Sequence, residues 1–260
     1  MKTVILDTET TGFDDPIRPV EVGYIELVNL TTMELGSRFN QRYNPDRNIS
    51  WGAMSTHNII QEDILDKPLY TEFVLPKDVE YVIGHNVQFD CDVLNISNDV
   101  KQIDTLNISR RLFPLTPNYE SYRKLGFSEQ FIELKKESFQ SNGYTLDSHK
   151  LTALMYMLAK DKNKVRERLK NAHSAIDDCL FCAFLLLKII KIKNFNSIEE
   201  LYEFSEQCKI PTTMFFGKYK GIDIADIPND YISWMFNNMS ELDQNLKKAL
   251  EIKLSTQEER

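Results

Sequence analysis

The sequence predicts an α/β domain, a five-stranded sheet with flanking helices, followed by a small α+β module. Three observations predict it. Residues 3–6 are a continuous apolar, β-branched run, as in a strand buried on both faces. Four further strand patterns and several stretches of helical spacing alternate through the first 190 or so residues. A polar shift at residues 191–196 then separates a shorter segment with its own apolar pattern.

Taken in order, residues 20–29 and 33–43 read as strands joined at the polar Leu30-Thr31-Thr32, and residues 80–84 as a fourth strand. Residues 87–96 have apolar side chains at helical spacing. A fifth strand at 101–105 leads into a helix, 106–113, that stops before Pro114. Between 116 and 143 the pattern weakens, punctuated by Pro117, Gly126 and Gly143, and residues 127–139 fit one charged, amphipathic helix. The segment 116–146 reads as an insertion or lid. A helix over 148–158 has its N-cap at Asp147 or Ser148, and residues 174–192 form a long apolar helix, the most buried of all. After the linker, residues 197–208 look helical, with Ser197 and Glu200 in capping-box spacing. Residues 214–225 read as a hairpin turned at 217–221, and 230–239 and 241–254 as two closing helices. The domains expected are 1–192 and 197–260.

A chain of 260 residues, 42% hydrophobic and 27% charged, can bury a core without staples. Its longest apolar stretch, 179–190, is too short to span a bilayer, so no membrane partner is expected. Met1-Lys2-Thr3 leads into a run that ends at Asp7, not into an export signal. Four scattered cysteines then read as reduced thiols in the cytoplasm. The net charge of -8 argues against non-specific coating of DNA. It does not exclude an enzyme that gathers acids in a metal cage and keeps its cations on one surface.

The chemistry gathers in three segments. Asp7-Thr8-Glu9-Thr10-Thr11-Gly12 closes the first strand, and alternation sends Asp7 and Glu9 to one face and Thr8 to the other. Two neighbouring carboxylates repel unless a cation sits between them, and hard oxygen ligands suit Mg²⁺ or Mn²⁺. Gly84-His85-Asn86-Val87-Gln88-Phe89-Asp90 joins a strand to a helix and sets Asp90 in the first helical turn. His173-Ser174-Ala175-Ile176-Asp177-Asp178 opens the longest helix. Five residues on one helix diverge by about 140°, so His173 belongs in the preceding loop and an aspartate one turn inside. Helix geometry leaves Asp177 and Asp178 both open as the ligand.

These segments together resemble the three motifs of the DEDDh family of 3′-to-5′ exonucleases over residues 1 to 192. That family includes polymerase proofreading subunits, RNase T, oligoribonuclease and exodeoxyribonuclease X. The resemblance implies a ribonuclease H-like fold with a mixed five-stranded sheet, and its spacing selects Asp178. It also implies attack at the 3′ end of DNA and release of 5′-mononucleotides. An RNA substrate, or a proofreading-type subunit that acts through a polymerase, are the alternatives, and a homodimer stays open. Two ions about 3.5–4 Å apart would be held by Asp7, Glu9, Asp90 and Asp178. A neutral imidazole at His173 suits a general base, with activity lost on the acid side as it is protonated. The family further implies that backbone groups of Thr10, Thr11 and Gly12 take the 3′-hydroxyl, and that Phe13, His57 and Phe89 pack on or near the terminal bases.

Lys160, Lys162, Lys164, Arg166, Arg168 and Lys170 precede His173 in a dense run suited to phosphate steering. Cys179 and Cys182, a lone pair one turn apart in an apolar helix, read as core residues, and His85 and His149 as structural. The tail is similar to the C-terminal extension of the exodeoxyribonuclease X branch, whose compact core lacks so long a segment at 116–143. There Phe215, Trp234 and Phe236 are expected to form a minicore, and Lys218, Tyr219 and Lys220 to contact nucleic acid by stacking and phosphate binding.

Overall fold

The β-branched run near the N-terminus does form the central strand. In the computed structural model, which describes residues 2–171 and 173–258, β1 (Lys2–Thr10) lies in the middle of a five-stranded sheet. β2 (Pro19–Asn29) pairs antiparallel with β1, and β3 (Glu34–Arg42) antiparallel with β2. On the other side β4 (Val79–Gly84) and β5 (Lys101–Asp104) run parallel to β1, giving the order β3-β2-β1-β4-β5. A mixed sheet of this kind is what the sequence predicted.

The helices are α1 (Trp51–His57), α2 (Val87–Val93), α3 (Thr105–Leu112), α4 (Tyr119–Lys124), α5 (Glu129–Gln140) and α6 (Leu151–Leu158). They continue with α7 (Lys162–Arg168), α8 (Ala175–Lys193), α9 (Ile198–Cys208), α10 (Asn229–Asn238) and α11 (Gln244–Glu258). Val4 and Leu6 of β1 pack with Val87 and Cys91 of α2, whereas α8 lies along β1 and β2. Alternation along β1 therefore gives α2 and α8 different residues of the same strand to meet.

Several local expectations need correction. α6 starts three residues later than expected, at Leu151, because the Ser148 hydroxyl accepts the N–H of Lys150 in a local turn. α8 extends one residue beyond the expected end, to Lys193 within the polar stretch, and stops where Asn194 turns left-handed at φ 55°. α1, α4 and α7 were not anticipated; Ser50, Asn118 and Asp161 cap them by accepting backbone N–H groups. The hairpin expected over residues 214–225 is reduced to a single antiparallel bridge, Thr213 with Asp223. Hydrogen bonds from the Met214 N–H to the Ile222 carbonyl at 2.9 Å and from the Ile224 N–H to the Thr212 carbonyl at 2.8 Å flank it, and a short 3-10 turn follows at Ile224–Asp226.

The chain divides into two compact units, Met1–Leu112 with Ser148–Ser205, and Phe113–Asp147 with Glu206–Arg260. The segment expected to be an insertion in the first domain thus shares a unit with the tail. Tyr122 and Ile132 from that segment are buried in one core with Met214, Ile222, Ile232, Met235 and Leu246. Lys135 also reaches Asp223 at 2.8 Å and Asp226 at 2.6 Å, and the Tyr122 hydroxyl donates to Asp226 at 3.1 Å. Among the described residues no helix is long and apolar enough to cross a membrane.

Candidate active site

The end of β1 receives an acid from each of two helices. Thr8, which alternation turns towards α2, donates its hydroxyl to Asp90 Oδ1 at 2.7 Å. Asp90 is 4% exposed, and burial pushes its carboxyl up to about 7. Asp7 and Glu9 carry the opposite parity. The ligand atoms of Glu9, His173 and Asp178 all lie within 4.8 Å of one another. Burial and the neighbouring carboxylates Asp90, Asp178 and Glu9 raise Asp7 well above the usual carboxylate range. Glu9 is pushed up to about 8 by burial first and by Asp178, Glu21 and Asp90 next. The four acids therefore converge, although 171 positions separate the first from the last.

His173 sits exposed in the loop before α8, with φ of 69°. Its backbone N–H bonds the carboxylate of Asp178, and burial still holds that carboxyl up at about 6. The two aspartates left open by helix geometry part company here. Asp178 acts on Asp7 and Glu9, whereas Asp177 feels Glu21 and Arg38.

Two residues that sequence reasoning passed over build this junction. Glu21 pairs across the ladder with Glu9, a like-charge juxtaposition that needs compensation. It is 3% exposed and accepts the Ala175 N–H at 3.0 Å, the first N–H of α8, while Arg42 Nε donates to it at 3.2 Å. Gly23 pairs with Asp7, and a Cβ there would meet the Ala175 carbonyl carbon and the Ile176 nitrogen at 2.7 Å. Only a glycine lets the α8 backbone come this close to the sheet. An acid set between two buried valines, Val20 and Val22, was the signal that could have found Glu21.

Next to the acids, Thr11 is buried and bonded to Arg18 and Ser50 by its backbone, and Gly12 has φ of 125° with Ser50 Oγ against it. Phe13 is 87% exposed, 6.0 Å from the half-buried ring of Phe89. His57 departs from the expected direct role at the substrate. It is buried, its Nδ1 accepts the Ile59 N–H at 3.0 Å, and its Nε2 lies 3.2 Å from the Thr10 carbonyl. Both ring nitrogens are occupied by backbone, and burial lowers its pKa, so it is a neutral prop for the 10–12 loop.

Lys160, Lys162, Lys164, Arg166, Arg168 and Lys170 are all exposed on and around α7. The four cysteines are buried, and burial pushes the Cys91 and Cys182 thiols up to about 12, which makes those two inert core residues. His85 bonds Thr105 Oγ1 and the His149 carbonyl, a structural part as expected. In the second unit Tyr219 is 7% exposed, so the expected stacking of a base on it is corrected: its ring belongs to the core. The expected minicore holds for Phe236, which packs against that core, and is corrected for Phe215 and Trp234, each 51% exposed.

Comparison with known proteins gives the same reading. Exodeoxyribonuclease 10 of Escherichia coli strain K12 is 27% identical over 251 residues, 95% of this chain and 96% of that protein. The DNA polymerase III epsilon subunit of Rickettsia conorii is 36% identical over 135 residues, 44% of this chain and 56% of that protein. In fold, the chain is similar to Exonuclease X in complex with 5′ overhanging duplex DNA, with a TM-score of 0.50 at 22% identity over 78% of this chain and 99% of that one. It is also similar to E. coli Exonuclease I in complex with a dA16 oligonucleotide, with a TM-score of 0.53 at 15% identity over 94% of this chain and 61% of that one. Residues 207–259 match a family model named for a quorum-sensing-regulated virulence factor. Residues 4–186, the stretch that supplies every acid at the end of β1 and the histidine beside them, match the exonuclease model, and the chain belongs to the RNase T exonuclease family.

Proposed function

We propose that this exonuclease is a metal-dependent 3′-to-5′ exodeoxyribonuclease that releases 5′-mononucleotides. The observation that carries the reading is the approach of Glu9, His173 and Asp178 to within 4.8 Å, beside Asp7 and Asp90. Buried acids held above their ordinary range are an oxygen donor set waiting for cations, and Mg²⁺ or Mn²⁺ fits it. Asp7, Glu9, Asp90 and Asp178 are the residues that would hold them. When bound, such ions neutralise the scissile phosphate and acidify the attacking water.

His173 accepts a proton from that water, whose oxygen displaces the 3′-oxygen of the preceding nucleotide in line at phosphorus. Asp178, through the His173 backbone, fixes where the imidazole stands. Backbone groups of Thr10, Thr11 and Gly12 take the terminal 3′-hydroxyl, Phe13 and Phe89 pack on the terminal bases, and His57 acts through the Thr10 carbonyl. The cations around α7 steer phosphates, and Lys218 and Lys220 of the second unit are further phosphate contacts. The likeness to exodeoxyribonuclease 10 along nearly the whole chain favours DNA, and four buried reduced thiols favour the cytoplasm.

The test is direct. 5′-labelled single- and double-stranded DNA and RNA are incubated with the protein and Mg²⁺, with an EDTA control, and the ladders are read. Stepwise shortening of DNA from the 3′ end, stopped by EDTA, is expected; full-length oligonucleotides would overturn the reading.

A further inference from the structure

The second unit presents aromatic rings at the edge of its core, Phe215 and Trp234 exposed and Tyr231 partly buried against it. Along α10, Ile232 and Met235 are fully buried, so helical spacing turns Trp234 outward at 51% exposure. Tyr231, one turn earlier, stacks on Trp234 with centroids 5.6 Å apart and planes 23° from parallel. Tyr231 also leans on the buried ring of Tyr219 at 4.6 Å, which anchors the pair to the core. Its hydroxyl lies 3.3 Å from where a Cβ on Gly217 would stand, so the turn at Gly217 comes up beside the rings. That turn carries Phe215, 51% exposed and 5.4 Å from Phe216, and the exposed Lys218 and Lys220.

Charge decides what such a surface fits. Of the nearby acids, Asp223 and Asp226 are both paired with Lys135, and Asp230 turns a carboxylate oxygen to the N–H of Tyr231. Two lysines stand on the turn itself, Lys218 with its ammonium over the Tyr219 ring at 5.3 Å. Flat, anchored aromatic faces next to cations match a chain of bases joined by phosphates, because every base offers a π-face and stacking needs no sequence. A duplex hides those faces, so a single strand is the form that fits.

We propose that Trp234, Tyr231 and Phe215, with Lys218 and Lys220, form a stacking platform for single-stranded nucleic acid on the second unit, separate from the carboxylate cluster. The platform does not depend on the exonuclease reading, since it uses neither metal nor any residue of that cluster.

The chain contains two tryptophans, so Trp51→Phe leaves Trp234 as the sole emitter. The full-length protein in EDTA, which prevents cleavage, is titrated with oligothymidylate longer than about 16 nucleotides, the upper end of a single-domain site. Saturable quenching of Trp234 emission is expected. In a parallel anisotropy titration, Trp234→Ala and Phe215→Ala should each weaken binding about tenfold, while Trp234→Phe stays near the parent. Replacing Lys218 and Lys220 with Gln should flatten the salt dependence by roughly 0.7 per lysine. Circular dichroism checks that each variant is folded; the exposure of both rings makes truncation tolerable. Binding that leaves Trp234 emission unchanged would overturn the proposal. Equal affinity of Trp234→Ala and the parent would overturn it as well. Loss of nuclease activity in the parent, with quenching retained, would refute the function proposed above and leave the platform standing.

Discussion

Glu21 Oε2 accepts the backbone N–H of Ala175 at 3.0 Å, across 154 residues of sequence. One carboxylate thereby ties the second strand to the first turn of the helix that follows His173. The favourable end of the helix dipole offsets the repulsion between Glu21 and its ladder partner Glu9. Glu21→Ala should lower kcat on oligonucleotides by about tenfold or more while leaving KM near its parent value, and should cost about 1–3 kcal/mol of stability. Steady-state kinetics and a denaturant titration read the two effects. Full activity in a destabilised variant would restrict Glu21 to a structural role.

Gly23 makes a second, purely steric demand. A side chain at this position would meet the α8 backbone at 2.7 Å, and backbone cannot rotate away. Gly23→Val should destabilise the fold by about 1–3 kcal/mol, the usual range for overpacking. It should also reduce activity, because Asp178 moves with α8. A thermal melt and a cleavage assay on the same preparation would show whether both fall together.

The acids make a prediction about pH and metal. Burial and mutual repulsion raise Glu9 to about 8, Asp90 to about 7 and Asp178 to about 6, so the folded, metal-free protein keeps protons there that the unfolded chain releases near pH 4. Their stability contribution is then fullest below the ordinary carboxyl range and is lost as pH rises through about 6 to 8. In EDTA, Tm should fall across that interval. Mn²⁺ or Mg²⁺, which binds the deprotonated form, should raise Tm most at the alkaline end and release protons on binding. A metal-free Tm independent of pH would count against the convergence of these carboxylates.

His173 carries the proposed proton transfer. His173→Ala should reduce kcat by about 10²–10⁴-fold. Asp7→Ala and Asp178→Ala should abolish shortening while oligonucleotide binding survives in part. A kcat near the parent value in His173→Ala would assign the proton transfer to another group.

Neutralising Lys164, Arg166 and Arg168 together should weaken DNA binding at low salt and flatten its salt dependence by about 2 for single strands. A titration of affinity against salt measures the slope, and an unaltered slope would make this run a solvated face only.

The three acidic segments were legible because each lies at the end of a strand or the start of a helix, where local spacing already determines direction. Asp178 could not be separated from Asp177 by helix geometry, since both fall in the first turn; the distinction lies in which neighbours each carboxylate feels. Glu21 and Gly23 were opaque for another reason: their roles exist only once β2 and α8 lie together. The expected hairpin at 214–225 shrinks to one bridge because Tyr219, Ile222 and Ile224 are drawn into a helical core instead of alternating along a strand. That same core inverted the tail's aromatics, burying Tyr219 and leaving Trp234 outside. The short helices α4 and α7 were missed because six or seven residues carry too little periodicity to show.

The shared burial of Tyr122 and Ile132 with the tail has a practical corollary for anyone dissecting the protein. A nuclease fragment trimmed at residue 192 would keep 113–147 but strip away the apolar surface that segment rests on. Tyr122, Ile132 and Lys135 would be left facing water. The two pieces, 113–147 and 206–260, form one unit, so that inheritance, grafting or truncation of this tail has to carry its distant half with it.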